Sequence, residues 1–224
     1  MTEGMQGNGA PFVDGRQIPM FDAAPIVDAA QAAKAAADAK VEEKAAEAAK
    51  KAAEAKIRDS WATPKALFDP LHAEFNFTLD VCAELWNRKL DRYYGPGSAI
   101  VDAFQASWAG ERWWCNPPFS EMDRWLDFAW RWFSPAARQQ GLLSQLGVML
   151  LPATRTEQEP WQKLVEPFRD KPHVWQQFGV SLETRFITMP TSKSDYGRVQ
   201  FDPPPGIKKS SNTAGSVLLI WHAY

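Results

Sequence analysis

The sequence predicts an α/β protein: a β-sheet with helices on both faces, preceded by a long helix rich in Ala, Lys and Glu. Three observations lead there. Apolar runs such as Gly147–Leu151 (GVMLL) and Ser216–Trp221 (SVLLIW) have the length and composition of buried strands. Between such runs lie segments whose apolar residues recur at three- and four-residue spacing, the period of a helix. Upstream, Val27–Arg58 contains no Gly or Pro and is built mostly from strong helix formers.

Residues 1–26 are rich in Gly, Pro and Asp without a clear period and are read as a flexible arm. Residues 27–59 form the Ala/Lys/Glu-rich helix or linker, with Glu43, Lys44, Glu47 and Lys51 at helical spacings on a solvated face. Its aliphatic content is almost all Ala, so no Leu/Ile seam drives a coiled coil. It is either an oligomerisation or spacer helix, a candidate self-association element, or a solvated and partly frayed one.

The folded domain is expected over residues 60–224. Phe77–Val81 (FTLDV) reads as its first strand and Arg112–Cys115 (RWWC) as its second, stopped by Asn116-Pro117-Pro118. Glu121–Phe133 reads as a helix with Trp125, Phe128, Ala129 and Trp132 on one face. Gly147–Leu151 is a strand ended by Pro152. Pro160–Phe168 reads as a helix, with Pro160 in its first turn and Trp161, Leu164, Val165 and Phe168 on its apolar face. His173–Phe178 is a candidate strand, and Arg198–Phe201 and Ser216–Trp221 read as the last two. The stretch from Phe178 to Ser216 is loop-rich, polar and basic in places.

Composition narrows the function classes. Hydrophobic residues make up 45% and charged residues 23%, ordinary values for a globular protein. The net charge of −2 gives no global pull towards nucleic acid, so a positive surface for DNA has to be local. Two cysteines, Cys82 and Cys115, are too few for a disulfide framework and point to a reducing cytoplasm. No apolar run approaches the roughly 18 residues of a membrane span, and the start of the sequence lacks the layout of a secretory signal. His72, His173 and His222 show no metal-ligand spacing and neither cysteine has a CxxC partner, so no metal is expected. No Gly-rich phosphate loop supports nucleotide hydrolysis. The 11 tryptophans are read mainly as core filler, with a minority available to stack on bases.

The sharpest motif is Asn116-Pro117-Pro118-Phe119 directly after a predicted strand. These residue types suit transfer to an exocyclic amine. Such an amine is a poor nucleophile because its lone pair is conjugated into the ring. The side-chain oxygen of Asn116 and the backbone carbonyl of Pro117 can each accept one N–H, which favours a tetrahedral nitrogen. The prolines fix φ and aim the loop's carbonyls, and Phe119 can stack on an extruded base. The plain alternative is a strand-ending turn, since Pro-Pro punctuates many loops.

Several blocks accompany this motif in order. They are Trp61-Ala62-Thr63-Pro64; Glu74–Phe77 leading into Leu79-Asp80-Val81-Cys82-Ala83; Asn87 and Tyr93; Asp102 with Trp108; and Trp114–Ser120 with Trp125. Leu150–Thr156 with Trp161, Gly197–Phe201 and Gly215–Trp221 complete the set. From about Ser60 to His222 the chain resembles the phage and prophage family of DNA N6-adenine methyltransferases, the phage Dam-type family. The resemblance implies a Rossmann-like sheet that holds S-adenosylmethionine over its C-terminal strand ends. It also implies double-stranded DNA with a flipped adenine as substrate, in a bacterial or phage-infected host cytoplasm. Carried over by position, Trp61, Thr63 and Pro64 would bind the cofactor, the last two near its methionine part. Asp80, Cys82 and Ala83 would form the turn after the first strand, and Asn116, Pro117, Pro118 and Phe119 would hold the adenine.

Each of these residues has a plainer reading. Asp80 is a cofactor contact or a structural cap, Cys82 a small packing residue, and Asp102 a cofactor contact or a surface carboxylate. Many methyltransferases carry Gly-x-Gly after the first strand; here the turn, Asp80–Glu84, has no glycine. Arg155 is assigned a substrate or phosphate role, against a surface one. Lys193, Arg198, Lys208 and Lys209 are the candidates for DNA contact, phosphates first and bases second; a solvated charge run is the alternative. Cytosine N4, RNA adenine and protein glutamine pose the same amine or amide problem, and a non-catalytic nucleic-acid-binding module with this fold remains a separate reading.

Overall fold

A computed structural model describes residues 24–171, 179–209 and 212–224. The chain divides into two units, Met1–Ala49 and Lys50–Tyr224. Helix α1 (Ala24–Asp59) begins in the first and ends in the second. Residues 31–49 of α1 are exposed throughout, as a surface of polar residues and Ala with only Val41 added dictates.

The second unit holds a five-stranded sheet in the order β1-β2-β3-β5-β4. The strands are β1 (Leu79–Asp80), β2 (Arg112–Cys115), β3 (Leu146–Pro152), β4 (Val180–Ile187) and β5 (Ser216–Ala223). The first three run parallel, while β5 lies antiparallel between β3 and β4. Parallel neighbours require crossover connections. The one from β2 to β3 carries helices α3 (Met122–Arg131) and α4 (Pro135–Gln139). Helix α2 (Lys65–Phe75) precedes the sheet and α5 (Glu159–Leu164) follows β3.

Alternation along the strands sends side chains to opposite faces. Trp114, Val148, Leu150, Leu218 and Ile220 meet Leu67, Phe68, Leu71 and Phe75 of α2 on one face. Trp113, Cys115, Met149, Leu151, Leu219 and Trp221 meet Trp125, Leu126, Phe128 and Ala129 of α3 and Trp161 of α5 on the other. Helices therefore cover both faces. Trp108, Trp113, Trp114, Trp161 and Trp221 are fully buried, which agrees with the core-filling reading of tryptophan. Gly147 makes room for one of them: a Cβ there would sit 2.1 Å from the Trp113 ring, its partner in register.

Strands β2, β3 and β5 and helix α3 form where the sequence predicts, within a few residues, and α5 is shorter at its C-terminal end. The first strand is limited to Leu79–Asp80. Helix α2, the short helix α4 and strand β4 were not expected. Helix α2 contains Pro70, but that residue is exposed and the buried positions 67, 68, 71 and 75 keep a helical period. Strand β4 lies in the stretch read as loop: it is an edge strand whose Glu183 and Arg185 interrupt the apolar pattern, with Arg185 held by Glu74 of α2. The strand expected at Arg198–Phe201 does not form. Val199 and Phe201 are instead anchored by burial, and Asp202 makes an isolated antiparallel bridge with Ala62. The candidate strand His173–Phe178 lies outside the described residues.

Candidate active site

Because β1, β2 and β3 are parallel, the segments after them emerge together beyond the carboxyl ends of the strands, where open α/β sheets bind ligands. A cleft of about 790 Å³ opens there. Its walls come from the turn after β1 (Val81–Glu84), Asn87, the Tyr94–Pro96 segment, Val101–Phe104, Asn116 and Pro118 after β2, and Trp125 of α3. The last turns of α1 complete it through Ala52, Ala55, Asp59 and Ser60.

The turn after β1 is organised by Asp80. One carboxylate oxygen accepts from the Cys82 N–H at 3.3 Å and the other from the Lys89 N–H at 3.0 Å. Burial raises its pKa from 3.8 to about 6, and those two N–H donors oppose the rise. Both oxygens thus serve the backbone, and Asp80 lies behind the cleft while Cys82 and Ala83 line it. Burial lowers the Lys89 ammonium's pKa against the pull of Asp80. Burial also lifts the Cys115 thiol well above its usual range, and the neighbouring Cys82 thiol adds to the rise.

The turn itself lacks a glycine, but the segment packed against it requires one. Gly95 has φ +135°, and a Cβ on it would fall 1.9 Å from the Ala83 carbonyl oxygen. Only glycine permits this contact. The cluster Gly95-Pro96-Gly97 was the signal in the sequence that could have found it.

The loop after β2 is pinned at three points. Asn116 Nδ2 donates to the Trp61 carbonyl at 3.0 Å, so the Oδ1 end of this cleft residue is left as an acceptor. Arg155 Nη1 donates to the Phe119 carbonyl at 2.7 Å. Ser120 Oγ donates to Asp59 Oδ2 at 2.6 Å, and the Ser120 N–H points at Asp59 Oδ1 at 3.4 Å. Pro117 is buried, and Phe119 packs edge to face on Phe201 at 6.1 Å.

The remaining candidates fall in several places. Asp102 lines the cleft and caps a short 3-10 turn by accepting from the Phe104 N–H at 2.9 Å; the Arg124 guanidinium lies 3.8 Å over the Phe104 ring. Trp61, Thr63 and Pro64 sit outside the cleft wall, on the segment that holds Asn116. Trp61 Nε1 and Thr63 Oγ1 are buried without a hydrogen-bond partner among the described residues. Lys193, Arg198 and Lys208 are exposed, and Lys209 pairs with Asp202 at 2.8 Å. Asp59 and Gly95 were not singled out from the sequence. Among the described residues, no cluster of His, Cys, Asp and Glu could hold a metal, and no helix is long and apolar enough to cross a membrane.

Residues 50–224 match the family described as DNA N-6-adenine-methyltransferase (Dam). Among curated proteins, the DNA N-6-adenine-methyltransferase of Haemophilus phage HP1 (strain HP1c1) is 35% identical over 96 residues, 42% of this chain and 50% of that protein. The chain thus spans about half the length of the curated relative it matches. No solved structure matches.

Proposed function

The chain belongs to the DNA N-6-adenine-methyltransferase (Dam) family, and from that premise we propose that it methylates the N6 amine of adenine in double-stranded DNA with S-adenosylmethionine as donor. The observation that carries the proposal is the bond from Asn116 Nδ2 to the Trp61 carbonyl. It fixes which end of the amide is left to accept in the cleft, and the Pro117 carbonyl, next in the chain, is the second acceptor that the reading calls for. Two fixed acceptors on one amine nitrogen are what the reaction requires, and their preorganisation lowers the barrier.

The residues present fit the cofactor. The cleft's volume is within the range of small-molecule sites. The Val81–Glu84 turn and Gly95 offer backbone in the cleft wall, and the carboxylates of Glu84 and Asp102 can accept from ribose hydroxyls. The Nε1 of Trp125, a residue of the cleft wall, is buried without a hydrogen-bond partner among the described residues and is a donor that a bound ligand can satisfy. The donor supplies a sulfonium-bound methyl group: the amine lone pair forms the N–C bond as the C–S bond breaks, and the amine's surplus proton passes to water. Asn116 remains an acceptor throughout, since an amide is no base at neutral pH.

The parallel order β1-β2-β3 with helices on both faces supports a Rossmann-like methyltransferase sheet. Flipping the adenine is required because its amine is out of reach inside a duplex. Exposed Lys193, Arg198 and Lys208 supply phosphate contacts on a chain with no net positive charge. Labelled methyl transfer to unmethylated DNA, with the nucleosides separated afterwards, tests the reading. Label in N6-methyladenine is expected; a cofactor-binding chain that leaves DNA unlabelled would overturn it.

A further inference from the structure

The C-terminal end of α1 is bonded to both halves of the cleft. On one side Asp59 takes the Ser120 hydroxyl at 2.6 Å, directly after the Asn116–Phe119 loop. On the other, the Ser60 carbonyl accepts from Asn87 Nδ2 at 3.0 Å, and Asn87 Oδ1 accepts from the Glu84 N–H at 2.7 Å in the turn after β1. Ser60 stops the helix at this point, since its N–H and hydroxyl both turn back to the Ile57 carbonyl. Upstream of the two anchors, the described helix residues that line the cleft are Ala52 and Ala55, side chains small enough to leave room for a ligand. A carboxylate in the last turn of a helix opposes the macrodipole, so helix stability does not account for Asp59. Its bond to Ser120 does.

We propose that this helix end sets the spacing between the turn after β1 and the loop after β2, with Asp59 as a positioning residue for Asn116–Phe119. The inference rests on the methyl-transfer reading above. If the donor lies over the β1 turn and the adenine against the β2 loop, in-line attack depends on the distance between two segments that the sheet alone holds by few residues, because β1 is only two residues long. A misplacement of about 1 Å costs about a hundredfold in rate. Asp59 and Asn87 fix that distance from outside the sheet.

The test uses the full chain with Asp59→Ala, Asp59→Asn, Ser120→Ala and the double variant D59A/S120A. Asp59→Ala is expected to lower kcat about tenfold or more, with cofactor affinity and Tm near those of the parent. Asp59→Asn keeps an acceptor for the Ser120 hydroxyl and is expected to recover most of the rate. The double variant should be no slower than either single one, as for two partners of one bond. Losses that multiply, or an Asp59→Asn variant as slow as Asp59→Ala, overturn the proposal. Hydrogen exchange across residues 116–121 gives a readout independent of activity. Should the parent chain leave DNA unmethylated, the proposed function falls, and exchange alone decides: faster exchange in Asp59→Ala keeps the positioning role, and unchanged exchange overturns it.

Discussion

The Trp61 carbonyl oxygen lies 3.0 Å from Asn116 Nδ2, and this one bond determines what the side chain presents to a substrate. Without it the amide could rotate, and its donor end would meet the amine it has to accept from. The bond also explains the placement of the Trp61–Pro64 block. It lies outside the cleft wall, yet it supports the residue that carries the chemistry.

Asn116→Ala is therefore expected to reduce methyl transfer by about a hundredfold or more, the cost of losing a preorganised polar group at a reacting centre. Cofactor affinity should change little. Asn116→Asp should fare no better, because a carboxylate facing the Trp61 carbonyl sets acceptor against acceptor. Single-turnover kinetics with calorimetry on the same samples separates the two quantities, and equal loss of both would remove Asn116 from its assigned role.

Arg155 and the exposed cations should separate by salt dependence. Its guanidinium is engaged by the Phe119 carbonyl at 2.7 Å, so Arg155→Ala should loosen the loop and lower kcat by about tenfold. Its log–log salt slope for DNA binding should match that of the parent. Removing Arg198 or Lys208, if each meets a phosphate, should shallow the slope by about 0.9. A shallower slope for Arg155→Ala would return that residue to the phosphate-binding set.

Asp80 makes the fold's stability depend on pH in a direction unusual for a carboxylate. Its pKa in the folded chain, about 6, lies above the ordinary 3.8 because burial penalises the charge. The folded state therefore holds this proton more tightly, and the contribution is fully present below 3.8 and lost as pH rises through 6. A displacement of that size corresponds to roughly 3 kcal/mol. The difference in unfolding free energy between the parent chain and Asp80→Asn should move against the parent from pH 4 to 7 and then level. A difference that stays flat would rule this account out.

The same turn shows which parts of the site were legible in the sequence. Asn116–Phe119 could be singled out because its residues are contiguous and directly follow a strand, Arg112–Cys115, that was itself predicted. Strands β3 and β5, buried on both faces, announce themselves by their apolar runs. Edge strand β4 does not, since Glu183 and Arg185 face partners outside the core. Asp80 was recognised as polar at a strand end, but the choice between cofactor contact and cap required seeing both oxygens taken by backbone N–H groups. Asp59 and Gly95 act on Ser120 and Ala83, residues 61 and 12 positions away in the chain, and no local pattern carries that relationship.

Gly95 provides the last prediction. Gly95→Ala would force a Cβ to 1.9 Å from the Ala83 carbonyl oxygen at a φ of +135°, so the backbone of the cleft wall would have to move. Gly110→Ala is the matched control: its φ is also positive, at +72°, but a Cβ there meets nothing within 4 Å. The control should cost about 1 kcal/mol, the backbone penalty alone. Gly95→Ala should cost several times more or abolish cofactor binding in whatever fraction still folds. Thermal melting with and without S-adenosylmethionine distinguishes the cases, since a ligand stabilises only the state it binds. If both variants melt alike and gain equally from the cofactor, the approach of Gly95 to Ala83 is not what shapes the cleft.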